Sequence, residues 1–134
     1  MSSGIGGSTG GYETSTLAIG LTAAAIDFLA KEADRRDELT EPMIALRSEH
    51  AALLDDLLHM VRGEGACTKE DVRQRANSLV LRSSQAALSA AKGTGYVVGH
   101  PAGRWCREAL FFLVWSCPQP VAAANLCELA GIAF

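Results

Sequence analysis

The sequence predicts an all-α fold, an antiparallel up-and-down four-helix bundle with a short extra C-terminal helix. Aromatic residues make up 6% of the 134 residues, while alanine and leucine are abundant, and this composition favours helices over strands. Apolar residues recur at steps of three and four, which is the spacing of one helix face. Glycine and proline interrupt this pattern, so the chain divides into helices of roughly 20 residues joined by short links.

The first predicted helix runs from about Thr14 to Arg36. The preceding residues 1–13 are rich in glycine and serine, and we expect them to form a flexible lead-in to a helical domain over residues 14–134. They do not resemble a secretory leader, because no Lys or Arg precedes the apolar stretch. The apolar face of this helix comprises Leu17, Leu21, Ala24, Ala25, Phe28 and Leu29.

The second predicted helix begins at Glu41-Pro42 and continues to about Arg62. Proline is tolerated in a first helical turn, where its missing N–H has no intrahelical partner. Thr68 is followed by a lysine and two acids, and this hydroxyl cap with acids in the first turn predicts a third helix that ends near Ala91. The inner positions of the third helix are mostly small, which lets neighbours approach closely, so we expect it at the centre of the bundle.

The fourth predicted helix runs from about Pro101 to Trp115, and after two prolines a short final helix covers Val121 to Leu129. The segment 109–115 is continuously apolar rather than striped, so we expect it to be buried on more than one side. A bundle of this size covers only one face. We therefore expect a homo-oligomer, or docking onto a further domain.

The net charge of the chain and the spacing of its cysteines argue against several classes of function. The net charge of −3 does not suit a nucleic-acid-binding surface, which needs a clustered positive face. We expect no membrane span, since that requires an apolar run of about 20 residues, and no metal site, since no Glu-x-x-His pair occurs. Cys67, Cys106, Cys117 and Cys127 lack C-x-x-C spacing, which favours small core residues in the reducing cytoplasm over the alternatives of zinc binding or disulfides.

One stretch resembles part of a known family. It reads AKGTGYVVGHPAGRWCREA, a glycine turn that leads into a helix with two arginines one turn apart. The pattern is similar to the C-terminal helical domain of the acyl-CoA dehydrogenases, FAD-dependent oxidoreductases of fatty acid metabolism that act on acyl thioesters. Lys92 replaces the first glycine of the family's G-G-x-G-Y element, and Glu108 replaces an aspartate. The matching residues are Gly93, Gly95, Tyr96, Pro101, Arg104, Arg107 and Ala109.

A second stretch, Arg35 to Pro42, reads RRDELTEP and resembles the family's E-R-x-Q-F-G-x-P motif, which helps to hold the FAD of a neighbouring subunit. Arg36 matches the arginine, which suits a pyrophosphate, and Leu39 stands in for the phenylalanine. Glu38 replaces the glutamine and would repel phosphates. The resemblance implies cofactor contacts from Arg36, Leu39, Gly93 and Gly95, and it implies that the helix ends near positions 36 and 93 converge in space.

Each of these residues also has a purely structural interpretation. Arg36 is then one solvated cation in the charged run at a helix end. The two glycines, Gly93 and Gly95, form a helix-ending turn with glycine in a left-handed cap. Arg104 and Arg107 pair with acids such as Glu108 or Asp71, contributing modestly to stability.

Oxidation of an acyl thioester requires a base that removes the α-proton. Many members of the family carry a glutamate shortly after the R-D-A element, and this chain has Ser116 there, which is no base at neutral pH without an activating partner. Other members place the glutamate on the first helix, where Glu13 is the candidate.

The family's N-terminal helical domain and central β-domain supply much of its flavin and substrate site, and 134 residues do not contain them. We therefore expect this chain not to oxidise an acyl-CoA on its own. The resemblance implies a domain that contributes to FAD binding and oligomer assembly and that depends on those missing domains for activity. The alternative is a non-catalytic helical interaction or assembly module that retains the fold.

Overall fold

The computed structural model describes the backbone of residues 2–132 and the side chains of residues 12–132. Within this part the chain is helical and contains no strand, which confirms the predicted all-α class. The helices are α1 (Ser2–Ala33), α2 (Thr40–Val61), α3 (Lys69–Ala91), α4 (Pro101–Phe111) and α5 (Gln119–Leu129), with 3-10 turns at Asp37–Leu39 and Lys92–Tyr96. The predicted lead-in over residues 1–13 falls mainly on residues 1–11, whose side chains lie outside the described part.

Helix α3 forms the centre of the fold, as its small inner residues predict. It packs against α1, α2, α4 and α5. Its buried residues include Val72 and Leu79, and also Ala76 and Ala87, whose short side chains let the neighbouring helices approach. The core therefore lies along α3, with apolar side chains from α1 and α2 closing over it.

Contacts at both ends of α3 fix the direction of α1. The ammonium of Lys69, at the start of α3, lies 5.3 Å from the ring centroid of Tyr12. Arg36, just after the end of α1, donates a hydrogen bond to the carbonyl of Ala90 near the end of α3. Helices α1 and α3 therefore run in the same direction.

The other helices alternate in direction, which fits the predicted up-and-down order. Residues later in α2 contact residues earlier in α3, and the same holds between α3 and α4, so both pairs are antiparallel. The contacts are Arg75–Asp56 and Arg82–Glu49 for α2, and Asn77–Phe112 and Cys106–Ser84 for α4.

The start of α3 is fixed by a reciprocal cap. The hydroxyl of Thr68 accepts a hydrogen bond from the backbone N–H of Asp71 at 3.0 Å, and the carboxylate of Asp71 accepts one from the N–H of Thr68 at 3.2 Å. This arrangement confirms the start predicted from the hydroxyl and the acids that follow it.

Two helices end earlier than predicted. Helix α1 stops at Ala33 rather than Arg36, because Arg36 has an extended backbone (φ −140°) before the 3-10 turn. Helix α4 stops at Phe111 rather than Trp115. Its continuation is a turn in which Ser116 has a positive φ of 45°, a conformation that no α-helix continues.

Within this chain the bundle covers only one side of segment 109–115, as expected, and burial of the other side by a second copy or a further domain stays a prediction. Ala109 and Phe112 are buried, because they face α3. Neighbouring apolar side chains of the same segment point to solvent, since the bundle covers only one side of α4. They are Leu110, Phe111, Val114 and Trp115.

One segment of α1, Tyr12–Ala33, contains 22 residues and is long and apolar enough to cross a membrane by length and composition alone. Length and composition do not decide whether it does so, and the expectation of no membrane span stays a prediction. The core helix of a soluble protein passes the same test. Here Ala18, Ile26 and Leu29 are buried against the rest of the bundle, which accounts for the apolar character of the segment.

Candidate functional site

The ends of α1 and α3 meet, as the resemblance implies. Nη2 of Arg36 donates hydrogen bonds to the carbonyl of Ala90 and, at 3.2 Å, to Glu32. Arg35 pairs with the same carboxylate at 2.5 Å. These residues and Lys92 surround an open cleft of about 320 Å³, the cationic notch.

Arg36 retains unused donors toward the cationic notch. Both of its hydrogen bonds come from Nη2, and 22% of its side chain is exposed. Nη1 and Nε make no hydrogen bond within the described part of the chain. A guanidinium with free donors beside an exposed lysine, Lys92, suits a phosphate group.

Lys92, rather than a glycine, adopts the unusual backbone conformation at the end of α3. It has φ 59° and ψ −151°, a region that glycine occupies most readily. The structural interpretation with a glycine in a left-handed cap is therefore wrong at Gly93 and Gly95, neither of which has a positive φ. The strained residue, Lys92, is the one that aligns with a glycine in the motif of the acyl-CoA dehydrogenases.

Gly95 is required for close packing. A Cβ there would lie 2.6 Å from Cβ of Ala91 and 3.1 Å from Cδ1 of Leu88. The carbonyl of Gly95 in turn lies 2.9 Å from the place that a Cβ on Gly103 of α4 would take. Gly93 is exposed and has open space around it. The close approach at Gly95 and Gly103 therefore lets α4 pack directly against the turn at the end of α3.

The other predicted site residues do not gather at the cationic notch. Leu39 is half-buried and packs against the core. Glu13 and Ser116 are exposed. Both lie at the opposite end of α3, because Tyr12 contacts the start of α3 and the Ser116 carbonyl accepts a hydrogen bond from Arg73.

The separation between the two ends is large. Arg73 and Ala90 bracket most of α3, a distance of about 25 Å at the rise of an α-helix. Neither candidate base, Glu13 or Ser116, therefore lies within contact distance of the cationic notch. The structure does not bring the predicted catalytic and cofactor residues together.

An open groove of about 830 Å³ lies between α1 and α4 and is here called the α1–α4 groove. Both helices contribute apolar residues to its walls. On the α1 side, Gly20 has no side chain to fill the groove, and a Cβ there would meet nothing within 4 Å. The lining residues are Thr16, Leu17, Gly20, Leu21, Ala24, Arg104, Trp105, Arg107, Glu108, Phe111 and Phe112.

Charged residues of α4 form one side of this groove. Nε of Arg104 lies 3.7 Å from Glu108, and both side chains are about half exposed, so this predicted pair is confirmed. Arg107 is exposed and forms no ion pair with any residue that the structure describes. Asp71, the other predicted partner, belongs to the cap of α3. The α4 side of the groove therefore carries an unneutralised cation.

Aromatic ring pairs lie near both ends of the α1–α4 groove. At one end Phe28 of α1 meets Trp105 edge to face, with centroids 5.9 Å apart. At the other end Phe111 stacks on Trp115 at 5.3 Å, and both rings are substantially exposed. The second pair extends the apolar surface past the groove onto the turn after α4.

The sequence interpretation missed a buried polar network around Arg73. Arg73 is 2% exposed and donates to the carbonyls of Phe112, Trp115 and Ser116 at 2.9–3.0 Å. Its Nε donates to Asn77 at 3.0 Å. The guanidinium thereby replaces the helical hydrogen bonds that end with α4.

Asn77 extends this network to α5. It donates to the Phe112 carbonyl at 3.0 Å and to Asn125 at 2.9 Å. Burial lowers the pKa of Arg73 from its ordinary value, and nearby Cys117 opposes that change. The only sequence signal was an arginine and an asparagine four residues apart on the inner side of α3. The network joins α3 to the turn after α4 and to α5.

No group of three or more His, Cys, Asp and Glu side chains is placed to hold a metal ion within residues 12–132. The four cysteines are free thiols and half-buried. The cationic notch and the α1–α4 groove are candidate binding sites in the part of the chain that the structure describes. No protein-family model, curated protein or solved structure matches this chain.

Proposed function

We propose that this chain is a non-catalytic helical assembly module that takes an amphipathic helix of a partner polypeptide in the α1–α4 groove. The observation that carries this proposal is the open, largely apolar groove of about 830 Å³ on the surface of the bundle. Its four free cysteines suit the cytoplasm, where we place it.

The shape of the groove favours a helix as the occupant. The α1 residues that line it extend from Thr16 to Ala24, a length of about 12 Å, or two helical turns. The groove is open along its length rather than closed around a small ligand. Amphipathic helices commonly lay their apolar face into such a groove between two helices.

The charge on the groove favours an acidic flank on the partner helix. Arg104 is only loosely paired with Glu108, and Arg107 has no ion pair within the described residues. A glutamate on the partner would lie beside these guanidinium groups. Such rim charges chiefly set orientation and specificity, while the apolar contacts supply affinity.

A synthetic helical peptide with a leucine face and glutamates along its flanks tests this proposal by fluorescence anisotropy. We expect it to bind at least tenfold more tightly than a twin peptide with lysines in place of the glutamates. Substitution Gly20→Leu should lower its affinity at least tenfold, because the new side chain occupies the groove. Arg107→Glu should remove the preference for the acidic peptide.

Ala45→Leu provides the matched control, because it adds the same side chain to an exposed position on α2. It should leave peptide affinity unchanged. Equal binding of the peptide by wild-type protein and Gly20→Leu, or no binding at millimolar peptide, would refute the groove as a docking site.

The cationic notch supports a second candidate function, a contribution to FAD binding as in the acyl-CoA dehydrogenases. Arg35, Arg36 and Lys92 line the notch together with the carboxylate of Glu32. The donors of Arg36 that form no hydrogen bond in the described part of the chain fit a phosphate oxygen. The donor set therefore fits the pyrophosphate part of the cofactor. Glu38, exposed in the adjoining 3-10 turn, weakens that attraction. When bound, FAD would supply a hydride acceptor.

Titration with FAD and with riboflavin tests this second function, followed by flavin fluorescence and by absorbance near 450 nm. Binding through the notch predicts that FAD binds and that riboflavin, which lacks phosphates, does not. Substitution Lys92→Gly should weaken FAD binding several-fold while keeping the fold intact, because glycine suits the backbone there. Equal binding of both flavins would exclude the notch as a phosphate site.

A further inference from the structure

Helix α2 carries an apolar stripe on a side that no other helix covers in the described part of the chain. We call the set of Ile44, Ala51, Leu54, Leu58 and Val61 the α2 stripe. All five are exposed, Ile44 and Val61 at 57% each. The buried face of α2 uses different residues, Leu46, Leu53 and Leu57. Thus α2 has a second apolar face in addition to the one that joins the core.

The α2 stripe has the spacing of a coiled-coil seam. With Ile44, Ala51 and Leu58 at heptad position a, Leu54 and Val61 fall at position d. The remaining d position is Arg47, whose guanidinium turns aside to Asp27 of α1 at 3.4 Å. Its aliphatic stem is then free to lie along the seam. The seam spans about 25 Å, nearly five turns.

An antiparallel pairing of two such seams satisfies both shape and charge. In that register a residues meet d residues: Ile44 meets Val61, Ala51 meets Leu54, and Leu58 meets Arg47 of the other copy. The small Ala51 lies near the two-fold axis and lets the helices approach. A parallel pairing would instead place Arg47 against Arg47, two like charges across the seam.

The flanking charges select the same register. The heptad places Glu41 and Arg62 at position e, and antiparallel helices bring e residues of the two copies together. Glu41 of each copy then faces Arg62 of the other. Glu41 is exposed and forms no ion pair within residues 12–132, and Arg62 has only a distant contact with Glu64 at 3.9 Å.

From this agreement we infer that two copies of the chain associate through the α2 stripe as an antiparallel, two-fold symmetric helix pair. The contact is isologous, so it closes after two copies. It uses α2, whereas the α1–α4 groove uses α1 and α4, so the dimer does not depend on the proposed partner helix.

Sedimentation equilibrium over a concentration series tests the dimer. We expect a mass of twice 14.1 kDa for the wild-type protein. Leu58→Glu should give the monomer mass, and because Leu58 is exposed, its helical circular dichroism should match the wild type. Leu126→Glu on α5, which changes a side chain of 66% exposure away from the stripe, should remain dimeric.

Charge reversal tests the register. Glu41→Arg or Arg62→Glu alone should weaken the dimer about tenfold, because each introduces two like-charge contacts per dimer. The two substitutions together should restore wild-type association. A monomeric wild-type protein at several hundred micromolar, a dimer insensitive to Leu58→Glu, or a double reversal as weak as the single ones would overturn the inference. Gly20→Leu leaves the mass unchanged, so failure of the groove and failure of the dimer give different results.

Discussion

Lys92 adopts an unfavourable backbone conformation that the turn at the end of α3 requires. The chain must turn sharply at the end of α3, and the residue at that point takes φ 59° and ψ −151°. For a residue with a Cβ, such a conformation costs about 1–3 kcal/mol. The neighbouring glycines, which the sequence pattern emphasised, do not carry this strain. Gly93 has open space, and Gly95 is constrained by its neighbours instead.

Substitution Lys92→Gly is therefore expected to raise the free energy of unfolding by about 1 kcal/mol, because glycine adopts this backbone conformation without a Cβ clash. Urea unfolding followed by circular dichroism measures the change. Lys92→Ala removes the charge but keeps the strain, so it should unfold close to the wild type. A Lys92→Gly protein less stable than Lys92→Ala would contradict the assignment of strain.

Arg73 is expected to be the most sensitive polar residue. Arg73→Met keeps much of the side-chain volume but leaves the part-buried carbonyls of Trp115 and Ser116 without this donor, which should lower the free energy of unfolding by about 3 kcal/mol. Arg82→Met is the matched control on the same helix. Its guanidinium is 45% exposed and pairs with Glu49, so the loss should stay below about 1 kcal/mol. Thermal unfolding of both variants decides between these outcomes.

Helix α1 contains a glycine, Gly20, that neither its backbone conformation nor close packing requires. Gly20 lies inside α1 with no positive φ, and a Cβ there meets nothing within 4 Å. Glycine inside a helix costs about 0.5–1 kcal/mol relative to alanine. The residue therefore leaves the α1–α4 groove open at a cost in helix stability.

Gly20→Ala should accordingly stabilise the protein by about 0.5–1 kcal/mol. Gly95→Ala should do the opposite, because its Cβ would lie 2.6 Å from that of Ala91 and force α3 and the following turn apart. Melting temperatures of the two variants, measured side by side, check both signs. If the two substitutions shifted the melting temperature in the same direction, the packing around one of these glycines would be wrong.

The elements that local chemistry determines were predictable from sequence. The cap at Thr68 and the first-turn proline Pro42 depend only on neighbouring residues, and the predicted starts of α2 and α3 agree closely with the structure. The end of α4 was not predictable in this way. It depends on Arg73, which lies 39 residues before Phe112, and no local pattern indicates that an arginine at an inner position will bind those carbonyls.

For the whole molecule, the position of α3 determines what the two candidate clefts can do. Helices run alternately, so the ends of α1 and α3 meet at the cationic notch, as the sequence resemblance implies. The same topology carries Glu13 and Ser116 to the far end of α3. Sequence reasoning placed each residue on its helix but could not give this separation, because helix direction follows from packing between distant segments.

Helices α2 and α4 both pack on α1 and α3 and flank that pair from different sides. The α2 stripe and the α1–α4 groove therefore do not overlap. If the groove and the α2 dimer are both correct, one dimer should bind two acidic-flanked peptides with equal affinity, a ratio that isothermal titration calorimetry measures. Leu58→Glu should keep one peptide per chain. A limit of one peptide per dimer would show that the two surfaces interfere.

Hydrogen bonds of α3 side chains connect α3 to the turn after α4 and to α5. Arg73 and Asn77 hold the turn after α4, and Asn77 also holds Asn125 of α5. Hydrogen bonds of this kind tolerate little displacement, unlike apolar contacts that permit gradual sliding. We therefore expect α4 and α5 to detach from α3 together and to reattach together, as one cooperative unit.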